Sequence, residues 1–285
     1  MTSFVAELRD VLARGQDLPT FPAVALELHS ALDSETLSDS QVAAIVSRDP
    51  PLATRLLRLA NSAAFNRGAP VGEVTQAVRV LGLRQVRALC TALAVVGAFS
   101  KRRGGLPLKS FWFHSAGVAF AARELAGCLG YRHLAPEQLY VGGLLHDIGL
   151  LLLDQYFPER MQGSLVAAQR RHDSLAKVES DVLGMDHGEI GGLLLGRWSL
   201  PAPIVAMVTS HHHPQDSSPE HRDACWVVYA AEMLCRCLGP SLQVEQLAET
   251  RAFNVLNALR EAQYPVDKLV DGIQQSAQES ATILT

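Results

Sequence analysis

Apolar residues recur at helical spacing along most of the 285-residue chain, and this periodicity is the feature that most limits its fold. The segment FVAELRDVLARG places its apolar residues on one stripe and ends at Gly15. A later segment, PPLATRLLRLANSAAF, starts with two prolines and carries Leu52, Leu56, Leu59 and Ala60 on one face. Alternating strand patterns and hairpin turns are almost absent. Because 48% of the residues are hydrophobic, the chain can bury a sizeable core, and we predict an all-α fold.

A charged, glycine-rich stretch, SKRRGGLPLKS at residues 100–110, is the best linker in the sequence. It divides the chain into an N-terminal helical lobe at residues 1–105 and a helical bundle with C-terminal helices at residues 106–285. In the first lobe, one helix is predicted at about 23–32 and two more meet at Gly82. In the second lobe, helices are predicted at about residues 109–130, 136–154, 158–171, 174–183, 186–198, 201–212, 221–238 and 243–262. The tail QQSAQESATILT is weakly patterned and is expected to fray.

Charge and composition exclude several classes of protein. The net charge is −4, which predicts no general attraction to nucleic acid or to anionic membranes. The N-terminal MTSFVAELRD lacks the apolar core of a secretory signal, and no apolar run reaches the ~18 residues of a membrane-spanning helix. The five cysteines lack the spacing of a disulfide framework and are typical of small buried hydrophobes in a reducing compartment. We therefore expect a cytoplasmic protein.

The N-terminal lobe is locally basic, since several arginines and the run Lys101, Arg102 and Arg103 fall in or next to it. No aromatic residues are interleaved to stack on bases, and no helix-turn-helix motif is present. Arginines on amphipathic helices usually form the solvated face. We do not expect nucleic acid to be a partner.

Residues that could do chemistry concentrate in the second lobe. His146 and Asp147 lie side by side in GGLLHDIGLLLL, inside a predicted helix. Histidines at four other positions complete the set, which comprises His114, His146, His187, His211 and His212 together with Asp147. Imidazoles and a carboxylate on facing helices form a metal site in a bundle, and these donors suit iron, manganese or zinc. The alternative is a buried polar cluster in which Asp147 only holds imidazoles by hydrogen bonds.

The motif GGLLHDIG resembles the His-Asp motif of the HD-domain superfamily of metal-dependent phosphohydrolases. The segment HSAGVAFAARELA is similar to the first-histidine helix of that superfamily. More specifically, the chain resembles the HDOD family, the bacterial HD-related output domains. This resemblance extends over about residues 15 to 240 and is carried by LPTFPAVALEL, IVSRDPPLATRLLRLANSAAF, VTQAVRVLGLRQVRAL, DHGEIGGLLLGRWSLP and SHHHP.

The resemblance implies a two-lobed all-α fold, in which an N-terminal helical subdomain packs on an HD-like helical bundle. It also implies a set of metal ligands, which by motif are His114, His146, Asp147, His187, His211 and His212. The last ligand of the superfamily is an aspartate on a late helix, and the equivalent segment VVYAAEMLC offers Glu232 here. HDOD proteins are signalling modules, often with a degraded HD site and without established enzymatic activity. Many are linked to the regulation of motility, surface behaviour, secretion or cyclic-nucleotide signalling.

Two departures argue against hydrolysis of cyclic-di-GMP. The HD-GYP branch of the superfamily carries a lysine after its HDIG motif, where this chain has Leu150. Leucine cannot compensate the charge of a phosphate. That branch also follows its paired histidines with a Gly-Tyr-Pro motif, whereas this chain continues with HPQDSSP. Generic metal-assisted hydrolysis stays open.

We therefore expect a bacterial cytoplasmic signalling or regulatory protein that binds a partner protein or a small ligand, with no membrane partner and without established catalysis. The alternative is a metal-dependent phosphohydrolase, in which a divalent ion at the His/Asp site lowers the pKa of a water molecule for attack on phosphorus. Phosphate chemistry also needs a nearby cation, and Arg123 and Arg197 lie near ligand positions in sequence, although salt bridges within helices are a more common use. The sequence leaves the oligomeric state open.

Overall fold

The computed structural model describes residues 4–14, 27–28, 38–62, 65–66, 68–99, 104–238, 255–257, 259–261 and 263–284. The helices predicted at 23–32 and 243–262 and the first part of the linker, residues 100–103, lie wholly or largely outside these described residues. Among the described residues every regular element is a helix, so the all-α prediction is confirmed.

The described helices of the N-terminal lobe are α1 (Phe4–Arg14), α2 (Asp39–Ser47), α3 (Pro50–Ala60), α4 (Val74–Leu81) and α5 (Leu83–Ala98). Those of the bundle are α6 (Leu108–Cys128), α7 (Pro136–Leu145), α8 (Ile148–Tyr156), α9 (Pro158–Arg171), α10 (Leu175–Leu183), α11 (His187–Arg197), α12 (Ala202–Ser210), α13 (Arg222–Leu238) and α14 (Val266–Leu284). A single 3₁₀ turn, Pro214–Asp216, lies between α12 and α13.

Capping residues fix where the helices of the N-terminal lobe begin. The Ser38 side chain accepts a hydrogen bond from the backbone N–H of Gln41, and the Gln41 side chain accepts one from the backbone N–H of Ser38, which forms a capping box. The Asp49 side chain accepts a hydrogen bond from the backbone N–H of Leu52 at the start of α3. The two prolines that follow Asp49 lack a backbone N–H, which is tolerated in the first turn of a helix because those N–H groups have no partner within the helix. Gly82, at φ 79°, separates α4 from α5 where the sequence predicts a hinge.

The central helix of the bundle is α6, which packs against α7, α13 and α14. The C-terminal helix α14 buries Ser276, Ala277, Ser280 and Ala281, and its main packing partner is α6. The prediction of a frayed tail is therefore wrong as far as Leu284. Leu269, Ile273 and Leu284 lie on the same buried face, and the small side chains between them let α14 approach α6 closely.

His146 and Asp147 lie in a turn between two helices. The sequence predicts one helix over residues 136–154, but the structure divides it into α7 and α8 on either side of these two residues. The prediction of one continuous helix is therefore wrong. Adjacent residues of such a helix point about 100° apart. The turn lets both side chains face the same centre.

Helices of the two predicted lobes contact one another directly. Helix α5 packs against α7, and α14 touches α3. Buried side chains from α1 to α14 form one continuous hydrophobic cluster. The domain boundary near residue 105 stays a prediction.

No single described helix is long and apolar enough to cross a membrane. Helices α4 and α5 reach that length and composition only as a pair, across a bend of 118°.

Candidate metal centre

The seven site residues predicted from the sequence converge on one centre in the bundle. They are His114 on α6, His146 and Asp147 in the α7–α8 turn, His187 at the first position of α11, His211 and His212 directly after α12, and Glu232 on α13. His212 is half-buried, and the other six side chains are buried. Residues far apart in sequence therefore share one pocket inside the protein.

Asp147 lies at the middle of this cluster, and its two oxygens face different histidines. Its Oδ2 is 3.2 Å from Nε2 of His146 and 3.6 Å from Nε2 of His114. Its Oδ1 is 3.2 Å from Nε2 of His187 and 3.5 Å from Nε2 of His211. One carboxylate therefore joins two pairs of imidazoles.

The remaining two side chains extend the cluster at opposite ends. Nε2 of His212 lies 2.7 Å from Nε2 of His187. Oε1 of Glu232 lies 3.9 Å from Nε2 of His146. Each pair of imidazoles on Asp147 thus gains one further donor.

Glycines bring the helices of the cluster close together. A Cβ on Gly143 would lie 2.8 Å from Cα of Ala119, so α7 can approach α6 only because this residue has no side chain. A Cβ on Gly188 would lie 2.9 Å from Cε1 of His211, which fits α11 tightly against the end of α12. These contacts give the glycines around the His-Asp motif and after His187 a packing role.

Backbone carbonyls orient two of the histidine rings. Nδ1 of His146 lies 2.7 Å from the carbonyl oxygen of Gly143, and Nδ1 of His211 lies 2.7 Å from that of Val208. Because a carbonyl oxygen can only accept, each Nδ1 carries the proton in these contacts. Nε2 of each ring then faces Asp147.

The donor atoms fall into two groups that fit a metal ion. One group is Asp147, His187, His211 and His212, and the other is His114, His146, Asp147 and Glu232. Within each group the donor atoms lie within 4.8 Å of one another. Zinc binds nitrogen and oxygen at about 2.0–2.2 Å, so two ligand atoms of one ion lie at most about 4.4 Å apart, and small side-chain adjustments would suffice.

Several donor atoms in the cluster face one another but form no hydrogen bond. Among the described residues, this holds for Nε2 of His146 and His211, Oδ1 of Asp147 and Oε2 of Glu232. Buried polar atoms are normally paired, and an ion is one of the partners that can explain the exceptions. The donor set therefore fits a divalent metal, and the ligand assignment stays a prediction.

The HDOD domain family model matches residues 18–214 of the chain, which is more than half of its length. This chain belongs to the HDOD family. The match spans both predicted lobes and includes every histidine of the cluster.

Three relatives of this HDOD chain illustrate the similarity. An uncharacterized protein of Treponema pallidum (strain Nichols) is 27% identical over 249 residues, which cover 86% of this chain and 47% of that protein. The chain thus spans about half the length of this curated relative. A provisionally named phosphohydrolase of Shewanella amazonensis SB2B is 28% identical, with a TM-score of 0.76 and 98% of each chain covered. An HDOD domain protein of unknown function from Geobacter sulfurreducens is 25% identical, with a TM-score of 0.72 and coverage of 94% and 98%.

Neighbouring charges outweigh burial at most positions of the HDOD cluster. Burial lowers the pKa of His146, but Asp147, Glu232 and the Gly143 carbonyl together outweigh it and the net pKa is raised. Burial is likewise outweighed at His187, where Glu179 and Asp147 raise the pKa well above its ordinary value. Burial of Asp147 is outweighed by the imidazoles, which hold its pKa well below the usual range. At His212, burial and the adjacent imidazoles both lower the pKa.

Two residues near the cluster were not predicted from the sequence. Glu179 on α10 contacts His187, and Arg236 on α13 forms an ion pair with Glu232 one turn earlier. Burial favours neutral Glu232, but Arg236 together with His211 and His146 outweighs it and lowers the pKa of that carboxyl. The spacing of Glu232 and Arg236 by four residues on a predicted helix could have indicated their ion pair, whereas no pattern marks Glu179.

Among the described residues, neither of the two arginines near ligand positions in sequence forms an ion pair with the cluster. Nη2 of Arg123 is 3.1 Å from Oε1 of Glu124, and its guanidinium lies 5.0 Å from the centre of the Phe65 ring. Arg197 is exposed at the end of α11. The described cation next to the cluster is therefore Arg236.

Proposed function

We propose that this HDOD chain is a metal-binding signalling module of the bacterial cytoplasm, which acts by binding a partner protein or a small ligand. One observation carries the metal part of the proposal: each oxygen of Asp147 faces two imidazoles, at distances of 3.2–3.6 Å. His114, His146, His187, His211, His212, Asp147 and Glu232 would hold the ion. Imidazole and carboxylate donors together suit iron, manganese or zinc.

The charge balance of the cluster supports a divalent cation. Three carboxylates, Asp147, Glu179 and Glu232, are buried there, and Arg236 is the cation that pairs with one of them. When the imidazoles are deprotonated, as metal binding requires, the buried group carries two excess negative charges. Buried charges are expensive unless they are paired or bind a metal, and one divalent ion would offset this excess. We therefore expect the first ion to bind tightly and a second ion to bind more weakly.

The regulatory part of the proposal rests on the HDOD family and on Leu150. Leu150, directly after the HDIG motif, is 3% exposed and packs in the hydrophobic core. It therefore brings no charge to a phosphate at the cluster. A module that is loaded with metal but poor in cations would present a stable fold to a partner rather than turn over phosphate esters.

A second candidate function is metal-dependent phosphohydrolysis. The full donor set and the cation of Arg236 beside Glu232 favour it. A bound ion would supply Lewis acidity and a water molecule of lowered pKa. The chain itself would contribute the ligands and the guanidinium of Arg236, which could compensate charge on a phosphate oxygen.

Elemental analysis of the purified protein tests the metal proposal. We expect close to one equivalent of iron, manganese or zinc in the wild type and a large loss in His146→Ala. The matched control is His213→Ala, because His213 is exposed and belongs to neither donor group. Wild-type protein that takes up none of the three metals, even after incubation with them, would overturn the proposal.

A screen of phosphate monoesters, phosphodiesters and nucleotides then separates the two candidate functions. Absence of turnover by fully loaded wild type supports the binding module. Turnover that disappears in His146→Ala and persists in His213→Ala would establish the hydrolase instead.

A further inference from the structure

Glu179 contacts His187 at two points. Its Oε2 lies 2.6 Å from Nδ1 of His187 and accepts a hydrogen bond of 2.9 Å from the backbone N–H of the same residue. Glu179 is completely buried on α10. We propose that Glu179 is a positioning residue, which fixes the ring of His187 and makes its Nε2 a stronger metal donor. This inference rests on the metal site proposed above.

The place of His187 at the start of a helix explains why it needs such a partner. His146 and His211 each follow a helix, and each Nδ1 meets the carbonyl oxygen of the residue three positions earlier. His187 is the first residue of α11, so no preceding turn of its own helix offers a carbonyl. The contact must come from another element, and α10 supplies it.

The nearest carboxylate in sequence is engaged elsewhere. The side chain of Asp186 accepts a hydrogen bond of 2.9 Å from the backbone N–H of Glu189, as the cap of α11. Glu189 in turn accepts from the backbone N–H of Asp186. This capping box leaves Glu179 as the carboxylate on Nδ1 of His187.

A carboxylate does more for the ring than a carbonyl does. In the deprotonated ring, the form that binds a metal, it holds the remaining proton on Nδ1, so the lone pair of Nε2 points toward Asp147, 3.2 Å away. Its negative charge also strengthens the hydrogen bond and the donor power of the opposite nitrogen. His187 would therefore be the strongest imidazole donor of the group it forms with Asp147, His211 and His212.

A purely structural role for Glu179 makes a different prediction. A carboxylate at the start of α11 could simply cap that helix through the backbone N–H of His187. Glu179→Gln separates the two roles, because the amide oxygen still accepts from that N–H but carries no charge. Glu189→Gln is the matched control, since it removes one carboxylate from the same end of α11 without touching a ring.

Zinc affinity, measured by competition with a coloured chelator, provides the first test. Glu179→Gln should weaken zinc binding by about 10–100-fold, the usual loss for a removed carboxylate partner of a ligand histidine. Glu189→Gln should bind zinc as the wild type does. Equal affinities of wild type and Glu179→Gln would overturn this inference and leave the metal site standing. Wild type that binds none of zinc, iron and manganese would overturn the metal site and the inference together.

NMR provides a second test, whose main readout needs only the zinc-loaded wild type. The Nδ1 proton of His187 should resonate far downfield, as expected for a short hydrogen bond to a carboxylate, and Glu179→Gln should shift it upfield. If Glu179→Gln fails to fold, the wild-type spectrum decides alone. A His187 Nδ1 proton at the position of an ordinary carbonyl-bonded imidazole would then contradict the inference.

Discussion

A Cβ added to Gly149 would lie 2.9 Å from the carbonyl carbon of His187, and closer still to the carbonyl oxygen. Gly149 is the last residue of the HDIG motif and belongs to the first turn of α8. Because Gly149 has no side chain, α8 packs directly against the start of α11, and Asp147 lies beside His187. The glycine of the motif therefore sets the distance between two donors of the candidate metal centre.

Gly149→Ala should destabilise the protein by about 3 kcal/mol, because the added methyl meets backbone atoms that cannot rotate away. It should also weaken metal binding, since α8 must move away from α11. Chemical unfolding of the metal-free protein measures the first effect. The control is Gly163→Ala on α9, where a Cβ meets nothing within 4 Å. That substitution should stabilise the protein by about 0.5–1 kcal/mol. A Gly149→Ala protein as stable as the control would disprove the tight contact.

Much of the fold and most of the site follow from local patterns. Ser38 and Asp49 cap helices because a short polar side chain at that position can accept from the backbone, a rule that needs only sequence. The histidines could be found because the His-Asp motif and the paired histidines resemble those of a known superfamily. Their convergence depends on helix packing, which the sequence implies only through that resemblance.

Other features depend on tertiary contacts that leave no local pattern. The break at His146 follows neither a proline nor a capping motif, and the apolar run around it predicts one helix. Glu179 is a single acid on an amphipathic helix, and only the fold brings it to His187. Helix α14 buries Ser276 and Ser280 beside its apolar residues, and hydrophobicity alone does not predict the burial of these two polar side chains.

Asp147→Ala should abolish metal binding in both donor groups, because Asp147 belongs to each of them. We expect the affinity to fall by more than about 100-fold, since loss of an outer partner alone usually lowers it 10–100-fold. His114→Ala removes a donor from one group only and should have a smaller effect. Metal titrations of the two variants, with His213→Ala as the control, provide the comparison. Equal losses in Asp147→Ala and His213→Ala would contradict the ligand assignment.

Removal of Asp147 should also destabilise the metal-free protein. Its carboxylate lies 3.2 Å from Nε2 of His146 and of His187 and stabilises their protonated forms, so each charge left without this partner costs about 1–3 kcal/mol. Asp147→Asn keeps one acceptor and should lose less stability than Asp147→Ala. Urea unfolding of both variants after treatment with a chelator measures the difference. Unchanged stability in Asp147→Ala would show that these nitrogens do not depend on the carboxylate.

Stability and metal affinity should change in opposite directions as pH rises above 6.5. The pKa values of His146 and His187 are raised from 6.5 in the folded protein, so their protonation stabilises the metal-free fold below 6.5. This contribution is lost as pH rises through the folded-state pKa values. A metal needs the deprotonated rings, so its affinity should increase over the same range.

Unfolding and zinc titrations across this pH range test the opposite trends. His187→Gln should flatten the decline in stability of the metal-free protein, because it removes one of the two groups responsible. The trend must be measured above pH 6.5, since the pKa of His212 is lowered and its effect falls below that value. Metal-free stability that stays constant or increases with pH would contradict the assignment of these proton sites.

Asp154 should hold the linker between the two predicted lobes. Its Oδ1 accepts a hydrogen bond of 3.0 Å from the backbone N–H of Gly105, and its carboxylate accepts another, of 3.2 Å, from that of Leu106. Asp154 is 8% exposed, so its replacement by alanine removes a buried acceptor from two backbone donors. We expect Asp154→Ala to lower the free energy of unfolding by about 2–4 kcal/mol and Asp154→Asn by less.

The matched control for Asp154 is Asp181, whose carboxylate pairs with Arg171 at 3.1 Å on the surface, where the two side chains are 52% and 48% exposed. An exposed ion pair is worth about 0–1 kcal/mol, so Asp181→Ala should change stability little. Hydrogen exchange should locate the difference, because the amides of Gly105 and Leu106 should exchange faster in Asp154→Ala than in Asp181→Ala. If the two variants match in stability and exchange, Asp154 does not fix the linker.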